Sequence, residues 1–214
     1  MGLLMDMTLE KYSDVLASNE PAPGGGSTAA LSGLMGASLT MMVVNLSLGK
    51  KSYEALDEAI KQKFMEDFHK VEGLKKELMH LVDEDTAAFN KFMEAMKLPK
   101  DTDDQKKVRE DKMQKASIYA LEIPLQTAEK CLGILQSQET IANFGNKNAV
   151  SDVGVGALMA LAGLEGAILN VKINLPGITD ESIKNEATAK YEKMLADGKR
   201  LQNTIMEIVN KRIG

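Results

Sequence analysis

Glu20-Pro21-Ala22-Pro23-Gly24-Gly25-Gly26-Ser27 opens an apolar run from Thr28 to Leu48, and this junction decides how the rest of the chain is arranged. Two prolines hold the backbone extended and three glycines permit φ > 0. Ser27 then stands where a helix N-cap belongs, ahead of Thr28-Ala29-Ala30-Leu31. The helix that follows is apolar nearly all round, so it has protein on most of its sides. Ala29, Gly33 and Ala37 recur every four residues with Gly36 beside them, a spacing that lets a second helix come close to the backbone. The N–H groups at such a helix start lack intrahelical partners and lie at the positive end of the helix dipole. The glycine approach therefore either receives a carboxylate or phosphate, or only lets the loop cross the helix tightly. It is not a P-loop, because the spacing G-x-x-x-x-G-K-[ST] is not met.

Upstream, Leu9, Tyr12, Val15 and Leu16 fall at helical spacing between Met7 and Ser18, with Thr8 or Asp6 as cap. Downstream, Gly49-Lys50-Lys51-Ser52 ends the apolar helix. A pattern of threes and fours from Tyr53 to Leu98 then predicts one helix of about forty residues, bent near Gly73, far above the usual length. After the polar break Leu98–Asp104 the pattern resumes at Gln105 and runs to about Leu135, with Pro124 expected to kink or divide it. A short helical turn and loop over Glu139–Lys147 lead into a second apolar helix, Asn148 to about Asn174, which Pro176-Gly177 stops. A last helix, Asp180–Ile213, has a wide polar face and seals the bundle. No β pattern appears. The fold class is all-α: one domain over 1–214, a bundle of long antiparallel helices around two buried central helices.

Composition narrows the function. The net charge of −5, with no window of lysines and interleaved aromatics, disfavours nucleic acid as a partner. The single cysteine, Cys131, cannot form an internal disulfide and has no Cys or His neighbours for a zinc site, which points to a cytoplasmic protein. The N-terminus lacks a basic n-region and a long apolar h-region, so no signal peptide is expected. Thr28–Leu48 and Ala149–Val171 raise the question of a membrane. The first carries Ser32, Ser38, Thr40 and Asn45, and the second Ser151, Asp152 and Glu165, so both are taken as buried helices of a soluble core and no membrane partner is expected.

The second apolar helix holds the most informative polar residues. At about 100° per residue, Asn148, Asp152, Gly163, Gly166 and Asn170 fall near one line, while Glu165 and Lys172 share another and are expected to form an ion pair. A carboxylate in an apolar run is costly unless paired, hydrogen-bonded or used. Asp152 is therefore either a first-turn acid favouring the helix dipole or a functional group facing a cleft. His69 and His80 share a face of the long helix without carboxylates at metal-ligand spacing, so no metal site is expected. Asp83-Glu84-Asp85 is an acid run of the kind that faces water, yet Asp85 precedes the apolar Ala87-Ala88-Phe89 and is a candidate to turn inward.

Several of these pieces together carry a resemblance. Pro21–Ser27 with its Ala/Leu/Gly helix, Leu98-Pro99-Lys100, Gly145-Asn146-Lys147-Asn148 with Ser151-Asp152, Leu164–Ala167 and Asn170–Leu175 resemble the formimidoyltetrahydrofolate cyclodeaminase/methenyltetrahydrofolate cyclohydrolase family. The resemblance runs from Thr8 to the last helix. It implies an all-helical homodimer in the cytoplasm, acting on a tetrahydrofolate derivative, polyglutamylated or not, with no further cofactor. The transferase domain that precedes this one in bifunctional animal enzymes is not expected here. Both family reactions occur at the carbon held between N5 and N10, and both need a positioned acid/base. The expected catalytic set is Asp152, with Asn148 orienting and Asp85 in reserve. The expected substrate-binding set is Gly24, Gly25, Gly26 and Ser27, with Lys50, Lys51 and Asn146. A protein that binds folate or a small anion without turnover, and a purely structural helical dimer, are the alternatives.

Overall fold

The computed structural model describes residues 2–214, and they are all-α, with no strand among them. The helices are α1 (Leu9–Leu16), α2 (Gly25–Asn45), α3 (Lys51–Glu54), α4 (Glu58–Met96), α5 (Asp103–Phe144), α6 (Val150–Asn174) and α7 (Glu181–Ile213). Their starts follow local chemistry. Thr8 Oγ1 accepts from the Lys11 N–H at α1, and Asp180 Oδ1 accepts from the Ser182 and Ile183 N–H groups at α7. Thr102 and Gln105 form a reciprocal capping box at α5.

Three expectations change. The long helix begins at Glu58 rather than Tyr53, because Ala55-Leu56-Asp57 separates it from the single turn of α3. The short turn expected over Glu139–Lys147 is largely absorbed into α5, which reaches Phe144. Pro124 does not divide α5 either. The carbonyl that loses its intrahelical donor to a proline is the one four residues back, Ala120, and Asn174 Nδ2 donates to it at 2.7 Å. The orphan created by the ring is thereby satisfied from the end of α6.

The helices form two layers. α2 and α6 lie against each other in front, and α4, α5 and α7 pack behind them with α5 touching both front helices. Phe64, Leu78, Leu121, Ile134, Leu135 and Leu164 fill the space between the layers and are wholly or almost wholly shielded from solvent. The small-residue spacing expected to admit a close helix is used by α6. A Cβ added to Gly163 would lie 2.8 Å from the Ala29 carbonyl oxygen and 2.9 Å from the Gly33 nitrogen. Gly36 meets the Gly156 carbonyl and Ala160 in the same way. The N-terminal half of α2 thus rests on the C-terminal half of α6, which makes the two helices antiparallel. At the other end of the bundle Arg212 donates to the carbonyls of Ala142 and Gly145, so the last turn of α7 closes the exposed end of α5.

The two central helices are not buried all round. Only about half of the most apolar window of each is covered, 56% in α2 and 50% in α6. Met35, Met42, Val155 and Leu158 remain exposed along the front, as do Leu169 at 66% and Ile173 at 76%. The pair Glu165–Lys172 does not form: Glu165 meets Lys199 of α7 at 3.3 Å, and Lys172 lies over the Tyr191 ring.

Because two of the three atoms nearest Gly163 are backbone and cannot rotate away, Gly163→Ala should destabilise the fold by about 1–3 kcal/mol. A lowered urea midpoint at unchanged slope is the expected reading.

Candidate active site

The start of α2 is the centre of the site. Gly24, not Ser27, is the N-cap, and Ser27 lies inside the first turn. Its N–H needs a partner from elsewhere, and Asp85 of α4 provides it: Oδ2 accepts from the Ser27 N–H at 2.9 Å and from the Ser27 hydroxyl at 3.2 Å. The approach is possible because residue 26 has no side chain. A Cβ on Gly26 would fall 2.0 Å from Asp85 Oδ1. Two alternatives left by the sequence, anion site or tight crossing, are thus joined. The N-terminus of α2 does receive a carboxylate, and it belongs to the protein.

The acid run Asp83-Glu84-Asp85 is not a solvated face. Asp83 accepts from the Leu4 N–H, Glu84 from the Tyr119 hydroxyl, and Asp85 from Ser27. Consecutive helical residues point about 100° apart, so these acids bind α4 to three separate neighbours.

Beside Asp85 opens a cavity of about 420 Å³, bounded by Gly24, Gly25 and Gly26, by Phe89 and Phe92 of α4, by Ser117 and Ala120 of α5, and by Asn170 and Asn174 of α6. Two phenyl rings provide a flat apolar wall, and the two asparagines and Ser117 provide neutral polar groups. Asp85 is the one ionisable side chain among the described lining residues. Burial pushes its carboxyl above the ordinary carboxylate range, and the two Ser27 hydrogen bonds pull part of that shift back. A carboxylate with a raised pKa in a cleft suits proton transfer. Among the described residues no cluster of His, Cys, Asp or Glu could hold a metal ion. A second cavity of about 440 Å³, between α4 and α5, is lined by Lys91, Lys112, Lys115 and Tyr119. Its tyrosine is pushed up to about 12, first by the hydrogen bond to Glu84 and then by burial, and so stays protonated.

The expected site residues divide into two groups. Gly24, Gly25, Gly26 and Asp85 line the cavity, with Ser27 directly behind Asp85. Asp152 and Asn148 do not. Asp152 lies in the first turn of α6, eighteen residues and so about 27 Å along the axis from Asn170. Lys50 and Lys51 lie beyond the far end of α2, and that end is about 30 Å from Gly25. Asn146 is at that same far end and is committed to the loop: its N–H donates to Ser47 Oγ, its Nδ2 to the Leu46 carbonyl, and its Oδ1 accepts from the Asn148 N–H. Antiparallel packing of α2 on α6 is the cause, since it puts the glycine loop at the C-terminal end of α6. Asn174, Ser117, Phe89 and Phe92 were not expected as site residues. Asn170 and Asn174 had a legible signal, two amides in the last turns of an otherwise apolar helix.

The profile of the formiminotransferase-cyclodeaminase family matches residues 8–193. The chain belongs to this family. The chain is similar to a methenyltetrahydrofolate cyclohydrolase of Methylorubrum extorquens, 40% identical over 96% of this chain and 97% of its own length. The formimidoyltransferase-cyclodeaminase of Gallus gallus is 36% identical over 98% of this chain, which spans only 38% of that protein. Among solved structures, the formiminotetrahydrofolate cyclodeaminase of Thermotoga maritima superposes with a TM-score of 0.84 at 25% identity, covering 98% of both chains.

The direction of the Asp85 shift sets a pH dependence. Folding raises its pKa, so between the ordinary carboxylate range and the raised value the native state binds more protons than the unfolded state. Stability therefore falls as pH rises through that window. Asp85→Asn keeps an oxygen acceptor for Ser27 and removes the buried charge. It should be more stable than the wild type at about pH 7, with the difference shrinking towards about pH 4, in urea titrations at both values.

Proposed function

We propose that the chain is a formimidoyltetrahydrofolate cyclodeaminase, forming 5,10-methenyltetrahydrofolate and ammonia from the 5-formimidoyl compound. It acts as a cytoplasmic homodimer with no cofactor beyond the folate itself. The observation that carries this reading is Asp85, an acid in a partly dehydrated cavity with no cation among the described lining residues. Such a site favours a cationic guest, and the reacting carbon of this substrate is an amidinium. The phenyl rings of Phe89 and Phe92 offer the apolar wall that a flat pterin requires, and the cavity has the size usual for small-molecule sites.

In the reaction, N10 attacks the formimidoyl carbon and the C–N10 bond forms. Asp85 takes the N10 proton and passes it to the former imine nitrogen. The bond from carbon to that nitrogen breaks, ammonia departs, and the positive charge remains on the N5–C–N10 unit. The Methylorubrum extorquens relative, similar over nearly its whole length, favours a second reading, methenyltetrahydrofolate cyclohydrolase. There water attacks the same carbon and Asp85 accepts its proton. The C–N5 bond then breaks, one water proton ends on N5 and the other in solution, and 10-formyltetrahydrofolate results.

The homodimer rests on the front layer. The apolar stripe of α2 and α6 runs from Val155 to Ile173, reaches the cavity mouth, and is too continuous for an isolated surface. Asp152 sits on the edge of this stripe, on the same line of α6 as Asn170. A two-fold axis crossing it near Ala162 would bring the partner's Asp152 towards the mouth of this cavity, together with the end of the bundle that holds Lys50, Lys51 and Asn148. The two groups of expected site residues would then meet across subunits, with the lysines placed for an anionic folate tail.

Absorbance at the 5,10-methenyltetrahydrofolate band decides the reaction. Growth from the formimidoyl compound with ammonia release marks the cyclodeaminase, and decay faster than in buffer marks the cyclohydrolase. Folate binding without either change marks a non-catalytic binder. Asp85→Asn should lower turnover by about 10²- to 10⁴-fold while still binding folate. Full activity in that variant would remove Asp85 from the chemistry.

Leu158→Asp, at the middle of the exposed stripe, should give a monomer by light scattering and lose activity. A wild type that is already monomeric at assay concentration would refute the shared site.

A further inference from the structure

Asn174 lines the cavity, and its amide can take only one orientation there. Nδ2 donates at 2.7 Å to the Ala120 carbonyl, an acceptor that only a nitrogen can meet, so Oδ1 is left for a guest. That carbonyl has lost its helical donor because residue 124 is proline, and the Asn174 amide takes the place of the missing N–H. In an unbroken helix the N–H of residue 124 would occupy it. The backbone next to Asn174 is held as well. Gln114 of α5 donates Nε2 to the Gly177 carbonyl at 3.1 Å and accepts through Oε1 from the Thr179 N–H and hydroxyl. Asn170 repeats the arrangement one turn earlier, its Nδ2 on the Gly166 carbonyl of its own helix. Both amides thus offer acceptor oxygens, and Asp85 across the cavity is an acceptor too. This wall is built for a ligand edge rich in N–H donors.

We propose that Asn174 is a specificity-determining residue that accepts a hydrogen bond from an N–H on the heterocycle of the bound substrate. Pro124, which is not part of the cavity wall, is the positioning residue that orients it through the freed Ala120 carbonyl. The inference rests on the folate reading for the identity of the heterocycle. A site organised around an acceptor discriminates against analogues that lack the matching donor, because the buried oxygen is then left unpaired.

Pro124→Ala separates this role from a structural one. It restores a helical N–H that competes for the Ala120 carbonyl, and the gain in helix propensity offsets the packing lost at this buried position. We expect an unchanged or raised melting temperature. We also expect KM to rise about three- to tenfold at nearly constant kcat, the worth of one neutral hydrogen bond. Asn174→Ala should raise KM similarly, and the double variant should be no worse than Asn174→Ala alone. Hydrogen exchange at the Asn174 side-chain amide, followed by NMR, should quicken in Pro124→Ala. A Pro124→Ala protein with wild-type KM and an equally protected amide overturns the inference and leaves the folate reading in place. Failure of the folate reading looks different: wild-type protein that neither turns over nor binds the folate, which would also overturn the specificity claim.

Discussion

The hydrogen bonds from Ser27 to Asp85 link everything else in the site. A helix start leaves N–H groups without partners, and a carboxylate leaves water only when something replaces its hydration. Each need answers the other across the α2–α4 contact. Gly26 is the geometric condition, because any side chain there would occupy the place of the carboxylate. The exchange is incomplete. Burial outweighs the two hydrogen bonds in setting the Asp85 pKa, so the group is held ready to bind a proton or a cation rather than stored as an inert ion pair.

Around this contact the bundle places its chemistry by direction rather than by proximity in sequence. The bare backbone at Gly36, Gly156 and Gly163 lets α2 and α6 approach closely, and their antiparallel sense fixes which ends meet. Amides from the end of α6 are therefore set beside the glycine loop from the start of α2. The same geometry leaves a front face that is apolar, continuous with the cavity, and uncovered by any other element among the described residues. Irregularities in the regular elements are put to use. The carbonyl freed by Pro124 anchors Asn174, and the carbonyls exposed at the end of α5 are taken by Arg212.

What the sequence determined by itself was everything local or periodic. Steps of three and four with no alternating stretch leave only helices, and Thr8 and Asp180 mark where two of them start. The small-residue spacing in α2 announces a close neighbour, and the ordered set of short motifs identifies the family, since motifs are properties of the chain read in order. Tertiary structure decided what depends on distance between segments. It chose Asp85 over Asp152 as the acid in this cavity, because Asp152 lies about 27 Å along α6 from Asn170 and antiparallel packing sets the Asn170 end beside the glycine loop. It supplied the partner of the Ser27 N–H in the first turn of α2 from a residue fifty-eight positions away, and it turned an acid run that looked solvated into three separate anchors. It redirected Glu165 from Lys172 to Lys199, because a side chain pairs with whatever the neighbouring helix presents. Periodicity states which residues share a face. Only the packed chain states what that face meets.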